Sequence, residues 1–168
     1  KNPRHKVAAG GMAAGTIALA AAMYNHWEGR NYVAVHLAFD PPGVVTVCGG
    51  ITTHDIPSLK IGDRYSEADC EKLIERVVPK YAAPLQECIP EFNAMPPHRQ
   101  AAVISFAINL GPAVTCARIA PLLNAGRIKD ACQKMTEYVL ANGKRLQGLV
   151  NRRNDPVWGE KAWCLRND

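Results

Sequence analysis

Trp27-Glu28-Gly29, and ten residues later Asp40-Pro41-Pro42-Gly43-Val44-Val45-Thr46-Val47-Cys48-Gly49-Gly50, is the stretch that decides the fold of this chain. An acid closes a long uncharged segment, a Pro-Pro-Gly turn follows, and a Val-rich run with one hydroxyl ends in two glycines. Asp40-Pro41-Pro42-Gly43 has turn composition, because proline pre-sets φ and glycine accepts positive φ. It separates two β-prone runs, Tyr32 to Phe39 and Val44 to Val47. The reading is a hairpin with a four-residue connection.

Outward from this hairpin the period changes to that of helices. Ser66 with Asp69 is a variant capping box that opens a helix to about Val78, before Pro79, with Leu73, Ile74 and Val77 as its apolar stripe. His98 to Leu110 is a strong helix that Gly111-Pro112 stops. Shorter helices are expected at Thr115 to Asn124, at Arg127 to Tyr138, and from Lys144 onward. A helix, a hairpin and then mostly helices make an α+β chain, with a small β-hairpin lobe and a mostly helical lobe.

Upstream, no formal charge occurs between Lys6 and Glu28. Val7 to Trp27 is 21 residues, roughly 31 Å as a helix, enough for a bilayer core. The run is nevertheless a weak anchor. From Val7 to Met23 it has eight Ala and three Gly, with Val7, Met12, Ile17, Leu19 and Met23 as its strongly apolar residues. Its insertion free energy is only about −1 to −2 kcal/mol. A cleaved signal peptide, a small-residue helix packed in the fold, and an export anchor later released uncleaved all fit that composition. The third reading is carried forward, dividing the chain into a segment at 1–27 and a domain at 28–168, with membrane association through residues 7–27.

The chain has 168 residues, 48% of them hydrophobic, and a formal charge of +5. Lys1, Arg4 and Lys6 supply three of those charges and leave about +2 for the other 162 residues. A nucleic-acid binder lines a face with basic residues, so nucleic acid is excluded as a partner, and a monomer is expected. The six cysteines, Cys48, Cys70, Cys88, Cys116, Cys132 and Cys164, show neither CxxC nor metal-ligand spacing. An even number in an exported chain points to disulfides, with the pairing left open. The histidines His26, His36, His54 and His98 are spaced too irregularly for a zinc site, so no metal or cofactor is expected.

The chemistry suggested by the opening stretch is glycosidic bond cleavage. That reaction divides its work between an acid that protonates the leaving oxygen and an ionised carboxylate that handles water. Glu28, beside Trp27 at the end of an Ala-rich helix, is the partly desolvated acid; Asp40, in a turn, is the carboxylate. Thr46 lies six residues beyond Asp40, across the bend, where the two share one water.

In these residues the chain resembles the phage-type lysozymes of glycoside hydrolase family 24. Glu28, Asp40 and Thr46 match the family's catalytic Glu, Asp and Thr. The likeness continues through Thr52, Asp55-Ile56 and Tyr65-Ser66-Glu67-Ala68-Asp69-Cys70. It returns at Ser105-Phe106, Asn109-Leu110-Gly111, Leu122-Leu123-Asn124-Ala125-Gly126, Gly148-Leu149-Val150 and Arg152-Arg153. It implies a lysozyme-like fold and a muramidase that hydrolyses the β-1,4 bond between N-acetylmuramic acid and N-acetylglucosamine in peptidoglycan. It further implies inversion, with Glu28 as general acid, Asp40 and Thr46 holding the water, and Arg152 or Arg153 supporting Glu28. Two departures stand out. Eleven residues, not the usual eight, separate Glu28 from Asp40, which suggests a longer first strand; and Ile51 stands where the family has His.

The first 27 residues resemble the signal-anchor-release segments of phage endolysins. That resemblance implies export, an inactive state tethered to the inner membrane, and release into the host periplasm. A lytic transglycosylase acting on the same bond is the close rival. A peptidoglycan amidase is the distant one, since no His/His/Cys cluster is present. Trp158 and Trp163 read as packing residues rather than sugar platforms.

Overall fold

The computed structural model describes residues 12–38 and 40–168. The basic residues Lys1, Arg4 and Lys6, the start of the uncharged run and Phe39 lie outside the described residues. Helix α1 (Ala14–Glu28) buries Thr16, Ala20, Ala21, Met23 and Tyr24, a stripe at helical spacing. That stripe rests on α3 (Pro97–Leu110) and on α2 (Glu67–Cys88). The outward positions Ala14, Gly15 and Ala18 carry no charge. No single described helix is long and apolar enough to cross a membrane.

The expected hairpin is displaced. Strand β1 (Thr46–Val47) pairs antiparallel with β2 (Ile51–Thr52), so the connection is Cys48-Gly49-Gly50 rather than Asp40-Pro41-Pro42-Gly43. Tyr32 to Phe39 forms no strand among its described residues. Val35 bridges Thr46 and Val33 bridges Arg64. The Asn31 amide explains the shortness of this pairing. It donates to the carbonyls of Val33 and Thr46 and accepts from Gly49 N–H at 2.7 Å, taking up groups that a longer ladder would use. The chain then turns at Leu37–Asp40, closed by Asp40 N–H to Leu37 O at 2.9 Å. The long spacing between Glu28 and Asp40 is thus absorbed by a turn and not by a longer strand.

The capping box forms as expected, with Ser66 and Asp69 exchanging hydrogen bonds of 3.0 and 3.1 Å. Helix α2 does not stop at Pro79, however; it runs through Pro79 and Pro84 to Cys88. An interior proline costs about 3 kcal/mol, but Pro79 sits on the exposed face, where water solvates the freed carbonyl. Cys70, Ile74, Val77, Val78, Ala82 and Leu85 form one buried stripe. Past Pro79 the helix is held by burial of Ala82 and Leu85 and by the Cys88–Cys116 disulfide.

Helix α3 is the core of the helical lobe, with every residue from Arg99 to Ala107 buried. Around it come α4 (Pro112–Arg118), α5 (Ala120–Asn124), α6 (Ile128–Met135), α7 (Gln147–Asn154) and α8 (Glu160–Leu165). The helix expected from Lys144 begins only at Gln147. Before it stands a small hairpin, β3 (Leu140–Ala141) with β4 (Lys144–Arg145), turned by Asn142 and Gly143 at φ of 50° and 74°. Asn-Gly is the strongest short hairpin signal.

All six cysteines pair, Cys48 with Cys70, Cys88 with Cys116, and Cys132 with Cys164. They tie the β1–β2 connection to α2, α2 to α4, and α6 to α8. Closing loops of 22 to 32 residues is worth about 3.5 kcal/mol each in the chain-entropy picture. Helix α1 carries no disulfide and is held by packing, hydrogen bonds and the Arg152–Glu28 ion pair at its end.

Candidate active site

Glycines bring the two ends of the opening stretch together. Gly49 has φ of 87°, and a Cβ there would lie 2.3 Å from the Gly29 carbonyl oxygen. A Cβ on Gly50 would lie 2.8 Å from the Tyr24 hydroxyl and 3.7 Å from Glu28 Oε2. Any side chain at either position would push the hairpin off the end of α1. The two glycines therefore seat the hairpin against the helix end that carries Glu28.

Asp40 and Thr46 meet directly. The Thr46 hydroxyl donates to Asp40 Oδ2 at 2.8 Å, and the Leu37 N–H donates to the same oxygen at 3.2 Å. Thr46 is buried, so its hydroxyl is fixed rather than free to rotate into solvent. Both donors fall on Oδ2, which orients the carboxylate plane and turns Oδ1 away from them.

Glu28 is 24% exposed on its side chain, and its Oε1 is gripped by the Arg152 guanidinium. Of the two arginines expected to support Glu28, the structure selects Arg152. Its Nε donates to Glu160 Oε1 at 3.1 Å, and its Nη2 donates to Ser105 O and Oγ at 3.1 and 3.2 Å. All three nitrogens of the guanidinium are engaged, so Arg152 cannot swing away from Glu28 without breaking several bonds. Arg153 serves a different purpose. It pairs with Glu160 Oε2 and Asn109 Oδ1, and its Nε donates to Tyr138 O at 3.1 Å.

Glu160 is fully buried and joins the two arginines, with Ser105 Oγ donating to it at 2.7 Å. Burial by itself would push the Arg152 guanidinium down, but the charges of Glu160 and Glu28 outweigh it and hold it above its ordinary value. For Arg153, burial wins and the group is lowered. Sequence reasoning missed Glu160: it stands seven and eight residues past the arginines, in another helix, and no motif marks it. Asn31 and Tyr24 were missed as well.

Ile51 is fully buried in the hydrophobic core, so the position where the family has His is filled here by apolar packing. Trp158 and Trp163 stack on each other at 5.4 Å between ring centroids. His26 stacks on Trp158 at 4.6 Å, and the Trp27 indole donates to Trp158 O at 2.9 Å. The tryptophans thus pin the end of α1, as packing residues.

The sequence pattern of the family described as phage lysozyme matches residues 25–156. The chain belongs to the phage lysozyme family. Curated relatives agree. A SAR-endolysin of Bacteriophage PS119 is 31% identical over 127 residues, 73% of each chain. The SAR-endolysin of Enterobacteria phage P21 is 28% identical over 167 residues, covering 93% of this chain and 96% of its own. Among solved structures, the muramidase domain of SpmX from Asticaccaulis excentricus superposes with a TM-score of 0.71 at 22% identity, over 92% of this chain and 97% of that one. At that identity the likeness carries the fold, which is lysozyme-like. As a member of the phage lysozyme family the chain is a glycoside hydrolase, with peptidoglycan as its substrate. The α+β fold and the enzyme class expected from the sequence hold.

Proposed function

We propose that this phage lysozyme is an inverting muramidase in which Glu28 is the general acid, while Asp40 and Thr46 hold and activate the attacking water. Glu28 gives its proton to the glycosidic oxygen as that bond breaks. A water on the opposite face of the sugar loses a proton to Asp40, and its oxygen bonds to the anomeric carbon. Thr46 spends its own proton on Asp40 and so offers that water a lone pair. The observation that carries this reading is the seating of Gly49 on Gly29. It ties the hairpin whose Thr46 holds Asp40 to the helix end bearing Glu28.

Mass spectrometry of digested peptidoglycan tests the reaction. Hydrolysis gives fragments that end in a reducing N-acetylmuramic acid. Anhydro ends, lighter by one water, would make the protein a lytic transglycosylase. An unchanged digest in the presence of a chelator is expected; its loss would favour a metal-dependent amidase.

The proposal extends to residues 1–27 as a signal-anchor-release segment, with 28–168 as the catalytic domain. The protein is then exported, tethered to the inner membrane and inactive, and later soluble in the host periplasm, where it lyses the cell. Three features support this. The two curated relatives described above are named SAR-endolysins. Helix α1 presents uncharged small residues outward, and no disulfide holds it to the domain. Since Glu28 ends α1, a helix kept in the bilayer keeps the acid away from Asp40 and Thr46.

The exposed positions Ala14, Gly15 and Ala18 provide a clean test. Leu at all three adds apolar surface without touching the packed face and favours insertion by about 1–2 kcal/mol. The variant is expected to remain in the membrane fraction and leave peptidoglycan uncut, while the same variant purified from detergent hydrolyses it normally. Normal cleavage by the membrane-held form would overturn the coupling.

A further inference from the structure

One turn before Glu28 on α1, Tyr24 is 3% exposed, and among the described residues its hydroxyl has no hydrogen-bond partner. A buried hydroxyl left unpaired costs ~1–3 kcal/mol, so such a group calls for an explanation. Its surroundings supply one. Tyr24 and Glu28 line the same cavity of about 180 Å³, together with Gly50, Tyr81, Ile108 and Asn109. That volume holds several waters and is ringed by polar groups.

The oxygen of Glu28 on this side is Oε2. Arg152 holds Oε1, whereas Oε2 and the Tyr24 hydroxyl flank the same point beside Gly50. The guanidinium only donates and cannot accept a hydrogen bond, so the acidic proton of Glu28 belongs on Oε2, the oxygen on the Gly50 side. Burial, and secondarily the negative charge of Glu28, push the Tyr24 phenol up, so it stays a neutral donor throughout the working pH range. The other groups facing this corner are Arg152 from α7, Tyr81 from α2 and Asp55 from the loop after β2. Tyr81 is likewise pushed up, by burial first and then by Asp55 and Glu28.

We propose that Tyr24 is a positioning residue for the acid: its hydroxyl, aimed into the shared cavity, donates through one bridging water to Glu28 Oε2. The bridge strengthens as Glu28 hands its proton to the glycosidic oxygen and becomes a carboxylate, because a hydrogen bond to a charged acceptor is the stronger one. It therefore stabilises the transition state more than the bound ground state. It is assembled only when α1 packs on the domain.

This inference rests on the reading of Glu28 as the general acid, and its test separates the two. Tyr24→Phe removes one oxygen and leaves the ring packing intact, so its melting temperature should match the parent. Its kcat is expected to fall roughly 5- to 15-fold at unchanged KM, the difference between a hydrogen bond to a charged acceptor and one to a neutral acceptor. A loss confined to kcat is the signature of a group that acts on the acid in the transition state rather than on substrate binding. A parental rate, or a loss that appears in KM with kcat unchanged, would overturn the role of Tyr24. Glu28→Gln is measured alongside: if it is inactive while Tyr24→Phe is parental, only the Tyr24 proposal fails. If Glu28→Gln is active, the reading beneath it fails too.

Discussion

Glu28→Gln is expected to lower peptidoglycan hydrolysis by on the order of 10³-fold while the protein stays folded. The amide keeps the shape of the side chain and still accepts a hydrogen bond from Arg152, but it has no proton to give the leaving oxygen. Loss of a positioned general acid typically costs ~10²–10⁴-fold. Clearing of a purified peptidoglycan suspension measures the rate, and thermal denaturation checks the fold. More than a tenth of the parental rate would remove Glu28 from the role of acid. Because Arg152 is also anchored by Glu160 and Ser105, the substitution leaves the rest of the site in place.

The largest stability effect is expected at Glu160, a residue with no contact to the outside. Its side chain is fully buried between Arg152 and Arg153, themselves 6% and 0% exposed. Glu160→Gln leaves those guanidiniums short of a negative charge in the protein interior. Breaking a buried pair from one side costs about 3–5 kcal/mol, because the surviving charge is uncompensated. In a chain of this size that lowers the melting temperature by on the order of 10 °C. Activity should fall as well, since Arg152 loses the partner that aims it at Glu28. A melting temperature within two or three degrees of the parent would mean that the network is not a structural element. Replacing the buried ions together with apolar residues of similar volume need not be destabilising; the cost arises from removing one charge alone.

The contrast between these residues shows how far sequence reading reaches. Glu28, Asp40 and Thr46 stand out as candidates in the sequence because an acid, a carboxylate and a hydroxyl fall within one short stretch. The capping box at Ser66 was legible for the same reason, since both of its hydrogen bonds run between residues three apart. The end of α2 was misread at Pro79, because a local rule against interior proline was overridden by burial of a stripe that only the packed lobe defines. The first strand was misread because the Asn31 side chain competes for its backbone partners across the lobe. The Asn142-Gly143 hairpin, by contrast, carried a local signal that went unused.

By itself, then, the sequence determined the α+β order of elements, the proposed acid, carboxylate and hydroxyl as candidates, and the uncharged run ahead of Glu28. These follow from period, charge and turn chemistry over a few neighbouring residues. Only the tertiary structure decided that Arg152 rather than Arg153 grips Glu28, that Glu160 binds both arginines, how the cysteines pair, and that Tyr24 and Glu28 line one cavity. Each of those is a contact between residues distant in the chain, where partner choice depends on the direction in which packed helices aim their side chains.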